Sequence, residues 1–98
     1  MRKLLIQPQA RADLLEIWHY IAGDDVAAAN RVSERLERAI RDLVTMPGKG
    51  HSRADVKVPT YRFWSVHSYV IAYRYDDESL TVVRVVHGVR DFRKLFKR

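Results

Sequence analysis

One run of the chain dictates most of what it can become: Leu80-Thr-Val-Val-Arg-Val-Val86, β-branched and almost wholly apolar, followed at once by His87 and Gly88. Such a run makes a buried strand, because branched side chains suit a pleated surface. A glycine directly after it marks a turn or a close approach by another group. Beyond it, Arg90-Asp-Phe-Arg93-Lys94-Leu-Phe-Lys97-Arg98 sets cations between apolar residues. A buried strand therefore delivers a histidine and a cationic tail to its own end, and the rest of the chain must cover it.

With 98 residues the chain makes one domain, spanning 1–98, with a modest core and no room for a second. It has no cysteine, so neither a disulfide framework nor a thiolate metal site is available. The four histidines, His19, His51, His67 and His87, are too scattered for metal spacing, and no motif calls for a cofactor. The opening Met1-Arg-Lys-Leu-Leu-Ile is too short for a signal peptide, and no apolar stretch reaches membrane-spanning length, so a reducing cytoplasm is the expected setting. The net charge of +6 is unevenly placed. Residues 1–46 hold seven Lys/Arg and seven Asp/Glu, whereas residues 47–98 hold eleven against five. A basic excess confined to one half suits a polyanion or an acidic protein surface, or simply solubility.

Taken in order, Lys3 to Gln7 predicts a short strand closed by Pro8, which is well placed in a first helical turn. Ala10, Leu14, Ile17, Trp18 and Ile21 then form one helical stripe, with Arg11, Asp13 and Glu16 outside it. Gly23-Asp24-Asp25 breaks that helix and supplies an aspartate to cap the next, whose stripe is Ala29, Val32, Leu36, Ile40, Leu43 and Val44. So short a break makes an antiparallel helical hairpin. Pro47 to Pro59 is irregular, with a basic loop from Gly48 to Arg53. Tyr61–Val66, Tyr69–Tyr75 and the final run read as three strands joined at His67-Ser68 and Asp76–Ser79. The order predicts an α+β domain: an N-terminal strand, the hairpin packed on a mainly antiparallel sheet, and a short cationic helix at the end.

If the second turn sets Tyr75 opposite Leu80, one face carries Tyr69, Ile71, Tyr73 and Tyr75 with Leu80, Val82, Arg84 and Val86. The other carries Val70, Ala72 and Arg74 with Thr81, Val83, Val85 and His87. Both faces are largely apolar, and one hairpin covers one side only. The expectation is that a partner covers the other.

Taken alone, His87 is more often a structural histidine at a strand end than a catalyst. Arg90 past the turn and Arg74 on the same expected face would bring guanidinium groups near it, as in a phosphate site. The plain reading of Arg90-Asp91 is a local ion pair capping the last helix. Trp18 reads as core, Trp64 less clearly so, and Gly48-Lys49-Gly50 lacks the spacing of a phosphate loop. No nucleophile constellation and no catalytic carboxylate pair is present.

Four segments together, Pro8-x-Ala10-x-x-Asp13-Leu14-x-x-Ile17-x-x-Tyr20-Ile21-Ala22, Met46-Pro47-Gly48-Lys49-Gly50, Tyr69-Val-Ile-Ala-Tyr73-Arg74 and Val85-Val86-His87-Gly88-Val89-Arg90-Asp91, make the chain resemble the ParE/RelE superfamily of toxins from type II toxin–antitoxin modules. The His-Gly-x-Arg-Asp ending is similar to the ParE branch, whose members inhibit DNA gyrase. Several RelE-branch relatives instead cut messenger RNA on the ribosome, commonly with an arginine opening the segment that here reads Val70-Ile71-Ala72-Tyr73, and with a tyrosine beside or near the terminal histidine, where this chain has Gly88. Without a general acid and a transition-state arginine, losses of several kcal/mol in barrier stabilisation follow for a nuclease.

The resemblance thus implies a growth-inhibiting toxin that targets DNA gyrase, with His87, Arg90, Arg93, Lys94 and Lys97 as target contacts. The alternative is a ribosome-dependent mRNA endoribonuclease using His87 and Arg74. It also implies a ParD-like antitoxin in a hetero-oligomer, whose acidic segment is expected to fold on the open sheet face and its cations, at Arg53, Arg62, Val70, Arg74 and Val83.

Overall fold

The structure, a computed structural model, describes residues 2–98. Strand β1 (Lys3–Ile6) leads into helix α1 (Pro8–Ala22), which turns back into α2 (Val26–Thr45). A short 3-10 turn (Pro47–Lys49) precedes strands β2 (His51–Ser52), β3 (Arg62–Val66), β4 (Tyr69–Tyr75) and β5 (Ser79–His87), and the chain ends in helix α3 (Gly88–Phe96). The five strands lie in the order β1-β5-β4-β3-β2, with β1 parallel to β5 and the other pairs antiparallel. The α+β architecture expected from the sequence is therefore the one observed. Only β2 lay inside the segment that carries no periodicity.

Local chemistry explains the turns. Asp25 accepts a hydrogen bond from the Ala28 amide at 3.1 Å, capping α2 as its position after the Gly23-Asp24 break implied. His67 carries the β3–β4 turn with φ of 54°, a left-handed conformation that histidine tolerates better than branched residues. In the β4–β5 turn the Asp76 carboxylate accepts the amides of Ser79 and Glu78, both at 2.8 Å, and these bonds hold its pKa below the ordinary value.

The helical hairpin covers one face of the sheet. Leu36, Ile40, Leu43 and Val44 of α2 meet Ile71, Tyr73, Leu80, Val82 and Val85 in the main core. Tyr73 is fully buried, and its hydroxyl donates to the Pro47 carbonyl at 2.6 Å while accepting the Gly50 amide at 2.9 Å. Any Cβ at position 50 would overlap that ring, so the close approach requires glycine. Burial pushes the Tyr73 pKa up, keeping the hydroxyl protonated as the donor this bond needs.

Two expectations are corrected here. The register places Tyr75 opposite Leu80 as anticipated, but Tyr73 then faces Val82 and Ala72 faces Arg84, which leaves Val83 as an extra residue on β5. This β-bulge reverses the alternation. Val85 joins Leu80 and Val82 in the hairpin core, and Val86 goes to the other side, the reverse of an unbroken strand. The second correction concerns that other side, which is not open. Phe92 and Phe96 of α3 pack there with Val56, Phe63, Ala72 and Val86 in a second core, with Phe63 at 5.0 Å and 5.3 Å from the two rings. The loop before β3 is tied to the chain end by Lys57 N–H donating to Phe96 O (2.8 Å) and Arg98 N–H donating to Asp55 O (3.1 Å). Val70 and Ala72, which pointed to an external partner, are covered by the chain's own last helix, and Val85 by the hairpin.

Asp13, expected on the outer side of α1, is buried. β1 ends at Ile6 opposite Val82, so the outer edge of β5 beyond that point has no strand beside it. The Asp13 carboxylate takes the place of one, accepting the Val85 amide at 3.0 Å and two bonds from Arg84 at 2.8 and 3.1 Å, with Gln9 donating at 3.3 Å. Trp18, expected in the core, is only partly buried and donates to Asn30 at 2.9 Å, tying α1 to α2.

Asp13→Ala leaves a guanidinium and a buried amide unpaired and is expected to cost about 3 kcal/mol, against about 1 kcal/mol for the cap removal Asp25→Ala. Tyr73→Phe, which strands the Pro47 carbonyl and the Gly50 amide, is expected to cost about 2 kcal/mol. Denaturant unfolding of the three variants checks the order, and an Asp13→Ala loss no larger than that of Asp25→Ala would contradict it.

Candidate functional site

The end of β5, the start of α3, the β3–β4 turn and the middle of α1 enclose a cleft of about 520 Å³, lined by Glu16, Tyr20, Tyr69, Arg84, His87 and Arg90 among others. Gly88 makes this convergence possible. Its amide donates to Ser68 O at 2.8 Å, and a Cβ there would press on Val70 at 3.2 Å. The glycine that ends the apolar run is thus a packing requirement between α3 and the β3–β4 turn.

His87 is the N-cap of α3, its Nδ1 accepting the Arg90 amide at 3.2 Å. That bond needs an unprotonated Nδ1, so the neutral ring carries its proton on Nε2. The imidazole packs edge-on against Tyr69 with ring centres 5.7 Å apart, which follows from the register that sets Tyr69 opposite His87. In this arrangement His87 offers the cleft a hydrogen-bond donor. Acting as a general base would require it to give up the cap or change tautomer.

The charges around it are mostly paired. Arg84 and Asp13 form a two-bond pair, and the Asp13 bonds push the Arg84 pKa up. Arg90 lies over Asp91 at 3.1 Å, and that guanidinium holds the Asp91 carboxyl below its usual range. Asp91 also stands in the first turn of α3, where a negative charge complements the helix dipole. Glu16 and Tyr20 are exposed at the rim. The cleft is a polar, mixed-charge recess with an aromatic wall, suited to hydrogen bonding and ion pairing with a partner group.

Arg90 stands near His87 as the sequence suggested, but Arg74 does not. It pairs with Thr81, five residues along β4 from Tyr69 and therefore roughly 17 Å of strand away from the His87 end. The spacing separates the two residues on which acid–base chemistry would have rested. Arg93 and Lys94 are exposed on α3, and Lys97 is partly exposed and paired with Asp55 at 3.3 Å. Arg53 is held by the same Asp55 at 2.8 Å, with the two cations holding that carboxyl at about 2. Arg62 donates to the Gly50 carbonyl at 2.8 Å, Val70 is half-buried, and Val83 is buried.

The residues that the sequence analysis missed are Asp13, Arg84 and Tyr69. One signal was available. Arg84 is the lone charge inside the apolar run, and a cation in a buried strand requires a carboxylate to meet it.

A family model described as the ParE toxin of the type II toxin–antitoxin system parDE matches residues 4–92. Among curated proteins, no sequence matches. Among solved structures, the chain is similar to one titled "Chromosomal ParDE TA system from P. aeruginosa", with a TM-score of 0.74 at 20% identity, covering 89% of this chain and 96% of that one. At that identity the likeness speaks for the fold, and the family match extends from β1 through the first turns of α3, including the His87 cap and the Asp13–Arg84 pair. The chain belongs to the ParE family of toxins from type II toxin–antitoxin systems.

Proposed function

We propose that this toxin arrests growth by acting on DNA gyrase through binding, without chemistry of its own, and that a ParD-like antitoxin neutralises it. The observation that most supports the first part is the His87 cap: Nδ1 is committed to the Arg90 amide, and Arg74 lies at the far end of β4. A ribonucleolytic site needs a base, an acid and a transition-state cation within hydrogen-bond reach of one phosphate. Here Arg84 and Arg90 are both engaged by carboxylates, and no tyrosine follows His87. The contacts proposed for the target are His87 and Arg90 at the cleft and Arg93, Lys94 and Lys97 on α3.

For the antitoxin, the covered second face moves the apolar anchor points elsewhere. Leu15 on α1 is 59% exposed, beside a shallow groove between α1 and α2 that Leu14 and Trp18 also line. A segment that folds on binding needs such anchors. Arg62 and Arg74 remain partners for its carboxylates, while Arg53 is already engaged by Asp55 and Val83 is out of reach. Among the described residues no helix is long and apolar enough to cross a membrane.

Purified toxin is expected to inhibit gyrase supercoiling and to leave messenger RNA intact on translating ribosomes. Ribosome-dependent cleavage with gyrase unaffected would overturn the proposal. In co-expression and pull-down with the protein encoded beside it, Leu15→Asp is expected to weaken capture at least about tenfold, equivalent to about 1.4 kcal/mol. Unchanged capture by a folded Leu15→Asp variant would remove the hairpin groove from the interface.

A further inference from the structure

The charge of this protein is gathered on one surface. Residues 53–57 and 88–98 hold seven cations against two carboxylates, which accounts for five of the net six charges of the chain. The fold brings these segments together: the Val56–Lys97 bridge, the Lys57–Phe96 and Arg98–Asp55 backbone bonds and the stacking of Arg53 over Phe92 (4.6 Å) make them one continuous patch. Both carboxylates are neutralised inside it, Asp55 by Arg53 and Lys97 and Asp91 by Arg90. Among the described residues Lys57, Arg93, Lys94 and Arg98 have no carboxylate partner, and all four are exposed.

We propose that this surface, the outer side of α3 with the loop strapped to it, binds the phosphate backbone of double-stranded DNA directly. Two features favour DNA over an acidic protein segment. The backbone under the patch is rigid, because Phe92 and Phe96 anchor α3 in the second core, so its cations are presented in a set arrangement rather than on a flexible tail. The patch has few apolar anchor points along its length, since Phe92 and Phe96 face inward and Leu95 is half-buried; Val89, at the helix start, and Val58, next to Lys57, are exposed at its ends. A folding peptide draws its affinity from apolar anchors, whereas a phosphate backbone needs only fixed positive charge and released counterions. No base-reading device accompanies the cations, so the binding is sequence-independent. The inference does not rest on gyrase, because toxin and DNA alone test it.

Fluorescence anisotropy of a labelled 20-base-pair duplex, titrated with wild-type toxin at several NaCl concentrations, reads the affinity and its salt slope. With about four phosphates neutralised, log Kd is expected to rise with log salt at a slope of about 3 to 4. The double variant Arg93→Glu with Lys94→Glu is expected to weaken binding at least about tenfold and to lower the slope by about two. Arg31→Glu with Arg35→Glu removes the same charge from the exposed side of α2 and is expected to change affinity less than about twofold. Circular dichroism establishes that both variants are folded. Equal weakening by the two variants would show diffuse attraction to a basic protein and overturn the proposal. So would absence of binding at low salt, or displacement of the duplex by polyglutamate at matched charge.

Discussion

The carboxylate of Asp13 joins the two halves of this molecule. It is carried by α1 and accepts bonds from β5, the longest strand, at the point where β1 has ended and the strand edge would otherwise be bare. A buried amide without a partner costs about 1–3 kcal/mol, and a guanidinium without one costs more, so this single group determines how the hairpin sits on the sheet. Gln9, one helical turn before Asp13, supports it from the same helix.

The bulge at Val83 is what makes that contact possible. It puts Arg84 and Val85 in position for Asp13 and, by reversing the alternation, sends Val85 to the hairpin and Val86 to α3. Both cores therefore depend on one extra residue. The same reversal sets His87 opposite Tyr69 at the mouth of the cleft and starts α3 in a direction that lays Phe92 and Phe96 over the second face. Cap, glycine contact and helix follow in sequence within four residues, from His87 to Arg90.

What could be read from the sequence was what local rules control. The helix stripes of α2, the Asp25 cap, the turn at Asp76 and the α+β order all follow from periodicity and turn chemistry in contiguous residues. What could not be read was long-range. Unbroken alternation through Val83 misplaces Val85 and Val86, because a bulge in a run this rich in branched residues leaves no compositional mark. Asp13 was assigned to solvent because helical periodicity sees only its own helix, and the counterpart, Arg84, is 71 residues away. The phenylalanines of the last segment held the missing information: a cationic helix with Phe92 and Phe96 one turn apart has an apolar side that must be buried. His87 stands at the junction of β5 and α3 in sequence and structure alike, but its capping role depends on the Arg90 amide, which only the backbone geometry reveals.

Among the described residues the fold carries a mixed-charge cleft beside His87, a shallow groove between α1 and α2, and a cationic surface on α3. In this fold His87 serves as the cap of α3. Replacing it by asparagine, which caps as well but cannot shuttle protons, and by alanine, which does neither, separates the roles. The melting temperature should be retained by His87→Asn, while His87→Ala loses about 1 kcal/mol of stability. A His87→Asn protein as destabilised as His87→Ala would contradict the account.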